Sequence, residues 1–267
     1  MTPILRLPIL AGLCIVLSGC VYFSTDRQIS YGLSHYEMGL PGHAIPPLIE
    51  AARSLEKENP PDPRLVDVLI ALGNMAQQDK RNDLASDFFS RALKAAGALQ
   101  PVDTRRLRNA LVNTGLFKQR LGQPAEALPL LQRAADISRT DDQPILHAID
   151  LDNLAQAHSS LGQFQTAIGL HQEALDIALR TTNGQYLART RGTILHNLGD
   201  AYAKLGREQD AEACFRQAIA TLSAGGREVE AWRIERVRKS YAELLRKAGR
   251  DREAQALEAG TGVPRTP

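Results

Sequence analysis

One small-residue frame returns six times along this chain. Alanine stands at positions 44, 85, 127, 167, 211 and 254, at intervals of 41, 42, 40, 44 and 43 residues. Twelve residues before each lies Gly32, Gly73, Gly115, Ala155, Gly199 or Ala242, and seven residues after the first five lies Ala51, Ala92, Ala134, Ala174 or Ala218. So steady a period marks a repeat array, in which each unit buries its apolar face against its neighbours. A small residue recurring on two faces of one unit lets two helices cross closely. The turn between them carries Gly39, Gly122, Gly162, Gly206 and Gly249, while copy two has Lys80, so its turn is expected to differ.

The frame predicts the first helix of each unit over 27–38, 64–79, 105–120, 145–160, 187–204 and 230–247. The second helix is predicted over 43–57, 83–98, 124–139, 164–180, 208–223 and 251–259. Return loops are marked by Pro60 to Pro63, Pro101, Asp141 to Pro144, Thr182-Asn183-Gly184 and Gly225-Gly226. Pro63, Pro124 and Pro144 suit a first helical turn, where no amide partner is lost. Pro46-Pro47 predicts a late start for the second helix of copy one, and copy six lacks the final alanine. The solenoid therefore covers 27–259, as repeats at about 27–60, 64–100, 105–140, 145–182, 187–224 and 230–259, followed by a disordered tail at 260–267.

Composition agrees with an all-α array. Hydrophobic residues make up 43% and aromatics only 5%, so small side chains must fill much of the core. A formal charge of +2, from 32 basic and 30 acidic residues, gives no footprint for nucleic acid. Three cysteines without a Cys-x-x-Cys exclude a disulfide scaffold and a Cys-rich zinc module.

The stretch from Thr193 to Leu222, TILHNLGDAYAKLGREQDAEACFRQAIATL, carries Leu195, Leu198-Gly199, Tyr202, Gly206, Ala211, Phe215 and Ala218. That spacing resembles the tetratricopeptide repeat. A period near 42 rather than 34 is similar to the longer units of kinesin light chains and their bacterial relatives. The resemblance implies a right-handed all-α solenoid with a concave groove lined by the first helices. It also implies that frame positions 2, 5, 6, 9, 12 and 13 face that groove.

Position 6 holds Asn113, Asn153 and Asn197 in three consecutive copies. An amide both donates and accepts, so it suits the backbone of an extended peptide, and peptide-binding grooves of the resembled family often place asparagine there. The competing reading is that these amides are solvated or bond to the next helix. Arg120, Lys204 and His196 stand at neighbouring groove positions, with Lys239, Arg246 and Lys247 further on and Asp152, Asp200 and Glu243 as acidic counterparts. Residues 227–252 hold nine Lys or Arg against five Asp or Glu. His158 and His171 take packing positions in copy four, and Trp232, the single tryptophan, is expected to pack on copy five. No His-Glu-x-x-His, Gly-x-Ser-x-Gly, phosphate loop or dinucleotide glycine pattern occurs. No catalytic residue, metal site, cofactor or small-molecule substrate is therefore expected.

At the N-terminus Arg6 precedes an apolar run from Leu7 to Leu17, too short for a resident membrane helix. Leu17-Ser18-Gly19-Cys20 resembles the lipobox of bacterial lipoproteins. It implies a signal peptide at 1–19, lipidation of Cys20 with palmitate-class acyl chains, and a short tether at 20–26. Val21 rather than Asp after the cysteine implies the outer membrane, at its periplasmic face. Together these expectations describe a membrane-anchored adaptor whose groove binds a protein or peptide during envelope assembly. A structural homo-oligomer and a pilotin-like assembly chaperone stay open as alternatives.

Overall fold

A computed structural model describes residues 24–140, 142–182, 187–225 and 231–260. The expected signal peptide, Cys20, the start of the tether and most of the tail lie outside the described residues. Twelve α-helices follow one another, with no strand among the described residues. They are α1 (Thr25–Glu37), α2 (Pro41–Leu55), α3 (Arg64–Gln78), α4 (Asn82–Ala98), α5 (Thr104–Arg120) and α6 (Pro124–Ser138). The second half comprises α7 (Pro144–Ser160), α8 (Phe164–Arg180), α9 (Leu187–Lys204), α10 (Glu208–Ala224), α11 (Ala231–Lys247) and α12 (Asp251–Glu258). Odd helices are the first of each repeat and even helices the second. Each helix packs most heavily on the partner within its repeat, and each of α2, α4, α6, α8 and α10 packs next on the first helix of the following repeat. The result is an all-α solenoid of six helix-turn-helix repeats.

The small residues do what the frame requires, with one change of partner. Ala44, Ala85, Ala127, Ala167, Ala211 and Ala254 are completely buried. The glycine twelve residues earlier, however, faces the side chain four residues beyond that alanine. A Cβ on Gly73 would sit 2.7 Å from Phe89, one on Gly115 2.8 Å from Leu131, and one on Gly199 2.7 Å from Phe215. The missing methyl makes room for a large side chain, not for a second small one.

Every described inter-helix turn closes in the same way. The amide three residues past the helix end bonds back five residues, as in Gln123 N to Lys118 O at 3.0 Å and Arg207 N to Tyr202 O at 2.9 Å. This Schellman closure needs a left-handed residue, which glycine supplies. The expectation that copy two differs is corrected here. Lys80 takes φ +59° beside glycines at +72° to +79°, and Arg81 N bonds Ala76 O at 2.8 Å. Copy one also departs from expectation: α2 starts at Pro41 and runs through Pro46 and Pro47. The carbonyls those prolines leave unpaired belong to Gly42 and His43, at the exposed first turn, where water can serve them. Pro124 and Pro144 open α6 and α7 as expected, whereas Pro63 is the N-cap of α3.

Polar side chains stitch successive repeats. Arg106 Nη2 on α5 reaches Asp67 on α3 at 2.8 Å. Arg108 on α5 bonds Asp150 on α7 at 2.5 and 2.7 Å, with both side chains almost wholly buried. Tyr241 OH donates to Glu212 Oε2 at 2.9 Å, and the Phe215 and Tyr241 rings lie 5.8 Å apart. Cys214 lies between helices, where burial pushes its thiol up to about 11, so it is a packing residue and not a thiolate nucleophile.

Candidate peptide groove

The first helices form the inner wall of the coil. Each of the neighbouring pairs α1–α3, α3–α5, α5–α7, α7–α9 and α9–α11 approaches closely, and no pair of second helices does so to the same degree. Their exposed residues therefore share one surface, as the resemblance implied.

The three asparagines have different surroundings. Asn113 Nδ2 donates to Asn109 O, one turn back on its own helix, at 2.8 Å. Asn197 Nδ2 donates across the repeat boundary to Asp152, at 2.9 and 3.2 Å from its two oxygens. A carboxylate accepts only, so it fixes this amide with its NH2 toward Asp152 and leaves Oδ1 as the outward acceptor. Asn153, between them, is half-buried. Asn197 thus realises in part the competing reading of a bond to the neighbouring helix.

Asp152 is the hub of a buried polar cluster. It is 5% exposed and also accepts from Gln156 Nε2 at 3.1 Å. His171 Nδ1, from α8, comes within 2.8 Å of Asp152 Oδ1 but out of line for a hydrogen bond, and neither buried ring nitrogen of His171 has a hydrogen-bond partner. His171 and His158 do not form a pair: His158 Nδ1 turns to Gln163 Oε1 at 2.5 Å.

His196 is 4% exposed, wedged between α9 and α11. Its Nε2 lies 2.9 Å from Ser240 Oγ and its Nδ1 3.2 Å from Arg236 Nη2. Burial lowers its pKa below the ordinary value, Asp200 and Asp152 oppose that shift, and Arg236 reinforces it. The residue that reaches the groove surface is therefore Arg236, with His196 beneath it. Lys204 is exposed, its Nζ 5.8 Å from the Phe164 ring centroid. Trp232 does not bury itself on copy five: it is 53% exposed, with the Arg233 guanidinium 4.4 Å and that of Arg236 5.9 Å from its ring.

Arg120 lines a polar cleft of about 470 Å³ together with Leu116, Gln119, Gln156, Ser160 and Arg236. These residues come from α5, α7 and α11, so repeats three and six face each other across the inner wall. In the repeat frame they occupy positions 9, 12, 13 and 2, all expected to face inward. Of these six residues, Arg120 is the one the sequence pointed to by name. Among the described residues no group of three or more His, Cys, Asp or Glu could hold a metal ion. No described helix is long and apolar enough to cross a membrane.

This architecture defines a class, the all-α helical-repeat solenoid. Residues 106–180 and 192–221 match models described as tetratricopeptide repeat, so these two segments carry that repeat. Similar solved structures include BtubC (BKLC) from P. vanneervenii, 20% identical over 92% of this chain and 96% of that one, with a TM-score of 0.65. Kinesin-light-chain-like repeats from Podosopora anserina are 20% identical over 75% and 94%, with a TM-score of 0.60. PilW, a type IV pilus biogenesis factor, is 18% identical over 88% and 91%, with a TM-score of 0.65. At these identities the likeness is one of fold.

Proposed function

We propose that this protein is a non-catalytic adaptor that holds a protein or peptide partner in the groove of its first helices while a lipid on Cys20 fixes it to the envelope. The observation that carries this reading is the open polar cleft on the inner wall, built by three repeats and free of any catalytic constellation among the described residues. Asn113 and Asn153 lie along the same wall, and the Asn197 Oδ1 is left to accept from a bound backbone. Leu17-Ser18-Gly19-Cys20 supports the anchor, and Val21 supports the periplasmic face of the outer membrane. A role in envelope assembly follows from that placement together with a groove suited to extended chain.

Crosslinked capture from membranes tests the reading. The full chain should retain a partner that the Asn113→Ala, Asn153→Ala double variant loses while its helical circular dichroism is unchanged. Undiminished capture by that variant moves the binding surface off the groove. The anchor is tested separately: Cys20→Ser should abolish incorporation of labelled fatty acid, and continued acylation refutes the lipid assignment.

A further inference from the structure

We propose that His35 and His43 form a binding site for a divalent transition-metal ion of the zinc or copper class, at the turn between α1 and α2. The two residues follow Gly32 by three and eleven places. The same frame positions in repeat three hold Lys118 and Glu126, which meet across the corresponding turn at 2.9 Å. The fold therefore aims these two side chains at each other, and repeat one alone has histidine at both. The imidazole centroids of His35 and His43 lie 5.8 Å apart, with their planes tilted by 50°. Two imidazoles on one tetrahedral ion, each with a nitrogen about 2.0–2.1 Å from it, place their centroids roughly 5 Å apart. A small rotamer adjustment closes the difference.

His35 is already oriented as a ligand. Its Nδ1 stands 2.8 Å from the Tyr31 carbonyl oxygen, and its ring stacks on that of Tyr31 with centroids 3.9 Å apart. A carbonyl only accepts, so Nδ1 carries the proton and Nε2 keeps its lone pair for a metal. A bond from the other ring nitrogen to a backbone carbonyl is what metal-bound histidines ordinarily have. His43 is exposed, and its ring makes no hydrogen bond among the described residues, so either nitrogen can turn toward the ion. Neutral imidazole suits Zn²⁺, Cu²⁺ and Ni²⁺, whereas Mg²⁺ and Ca²⁺ seek oxygen. No third His, Cys, Asp or Glu completes the pair among the described residues, so the remaining positions fall to water or to the same pair in a second molecule of this chain. Among the described residues repeat one has a neighbouring repeat on one side only. An ion joining α1 to α2 therefore stabilises the less supported end of the array. The inner-wall cleft takes no part in this site, so either reading can fail without the other.

The test uses the untagged full chain in a neutral detergent, titrated with Zn²⁺ in a calorimeter and with Cu²⁺ under electron paramagnetic resonance. His35→Ala and His43→Ala should each weaken Zn²⁺ binding about 10–100-fold while helical circular dichroism is unchanged. The Cu²⁺ spectrum should show nitrogen hyperfine splitting that both variants lose. Cu²⁺ should bind more tightly than Zn²⁺, and Mg²⁺ should not compete. His158→Ala, at the matching frame position of repeat four, should leave binding as it was. Zn²⁺ should also slow amide exchange in α1 and α2 of the parent chain and of neither histidine variant. One ion per chain assigns the open positions to water, and one ion per two chains with a doubled mass in light scattering assigns them to a second molecule; either result supports the site. Undiminished binding in both histidine variants, competition by Mg²⁺, or no saturation by about 1 mM Zn²⁺ overturns the proposal.

Discussion

Arg236 Nη2 stands 3.2 Å from His196 Nδ1, which makes that nitrogen an acceptor and puts the imidazole proton on Nε2, facing Ser240 Oγ at 2.9 Å. Only neutral histidine can hold this chain of bonds. A proton on Nδ1 would set two cations donor to donor in a buried site.

Stability should therefore fall on mild acidification. Burial lowers the pKa of both His196 and His147 below 6.5 in the folded chain. Below pH 6.5 the unfolded chain binds protons that the folded chain does not, so stability is full above that value and declines as pH falls through the folded pKa. Thermal melts should drop by several degrees between pH 7.5 and 5, at roughly 2–4 °C per kcal/mol for a domain of this size. His147→Asn with His196→Gln should flatten the upper part of that drop. An unchanged slope in the double variant would assign the acid sensitivity to other groups.

Gly199 has no room for a side chain. A Cβ there would lie 2.7 Å from the Phe215 ring, which is itself completely buried. Gly199→Val should cost ~1–3 kcal/mol by overpacking. Because repeats couple mainly to their neighbours, amide exchange should accelerate first in α9 and α10.

The Arg108–Asp150 pair should be costly to break and cheap to replace. Asp150→Ala strands a buried guanidinium and should lower unfolding free energy by ~3–5 kcal/mol. Arg108→Met with Asp150→Leu should recover most of that loss in urea unfolding. A double variant as weak as the single one would mean that packing around the pair matters more than its charge.

Lys80 occupies a left-handed position that its five counterparts give to glycine. The left-handed conformation costs an L side chain roughly 1–2 kcal/mol, and glycine's extra chain entropy offsets part of the gain from removing it. Lys80→Gly should therefore raise stability by about 0.5–1 kcal/mol, read as a higher urea midpoint at constant slope.

The helices were legible because their determinants are local and repeated. The first-helix and second-helix ranges fall within a few residues of expectation, since a small residue every 42 or so positions leaves few alternative registers. Where expectation and structure part, the cause is tertiary. Trp232 is expected to pack on copy five, yet it stands exposed, and the buried Phe215 and Tyr241 rings meet at the junction of repeats five and six instead. His196 was placed at the groove by frame position alone. Frame position sets the direction of a side chain, not what stands in front of it, and here Arg236 from the next repeat does. The facing of Arg120 and Arg236 was not readable at all, because it depends on how far the array bends over three repeat boundaries.

That dependence gives the inner wall a mechanical property. The gap between α5 and α11 is the sum of small rotations at three successive repeat interfaces, so a slight change of angle at each adds up at the cleft. Whatever bridges Arg120 and Arg236 then acts as a clasp on a spring, trading the coil's freedom to open for one curvature. A strained or loosened interface anywhere between repeats three and six, such as the one closed by Arg108 and Asp150, would be felt at the cleft without any contact to what it holds.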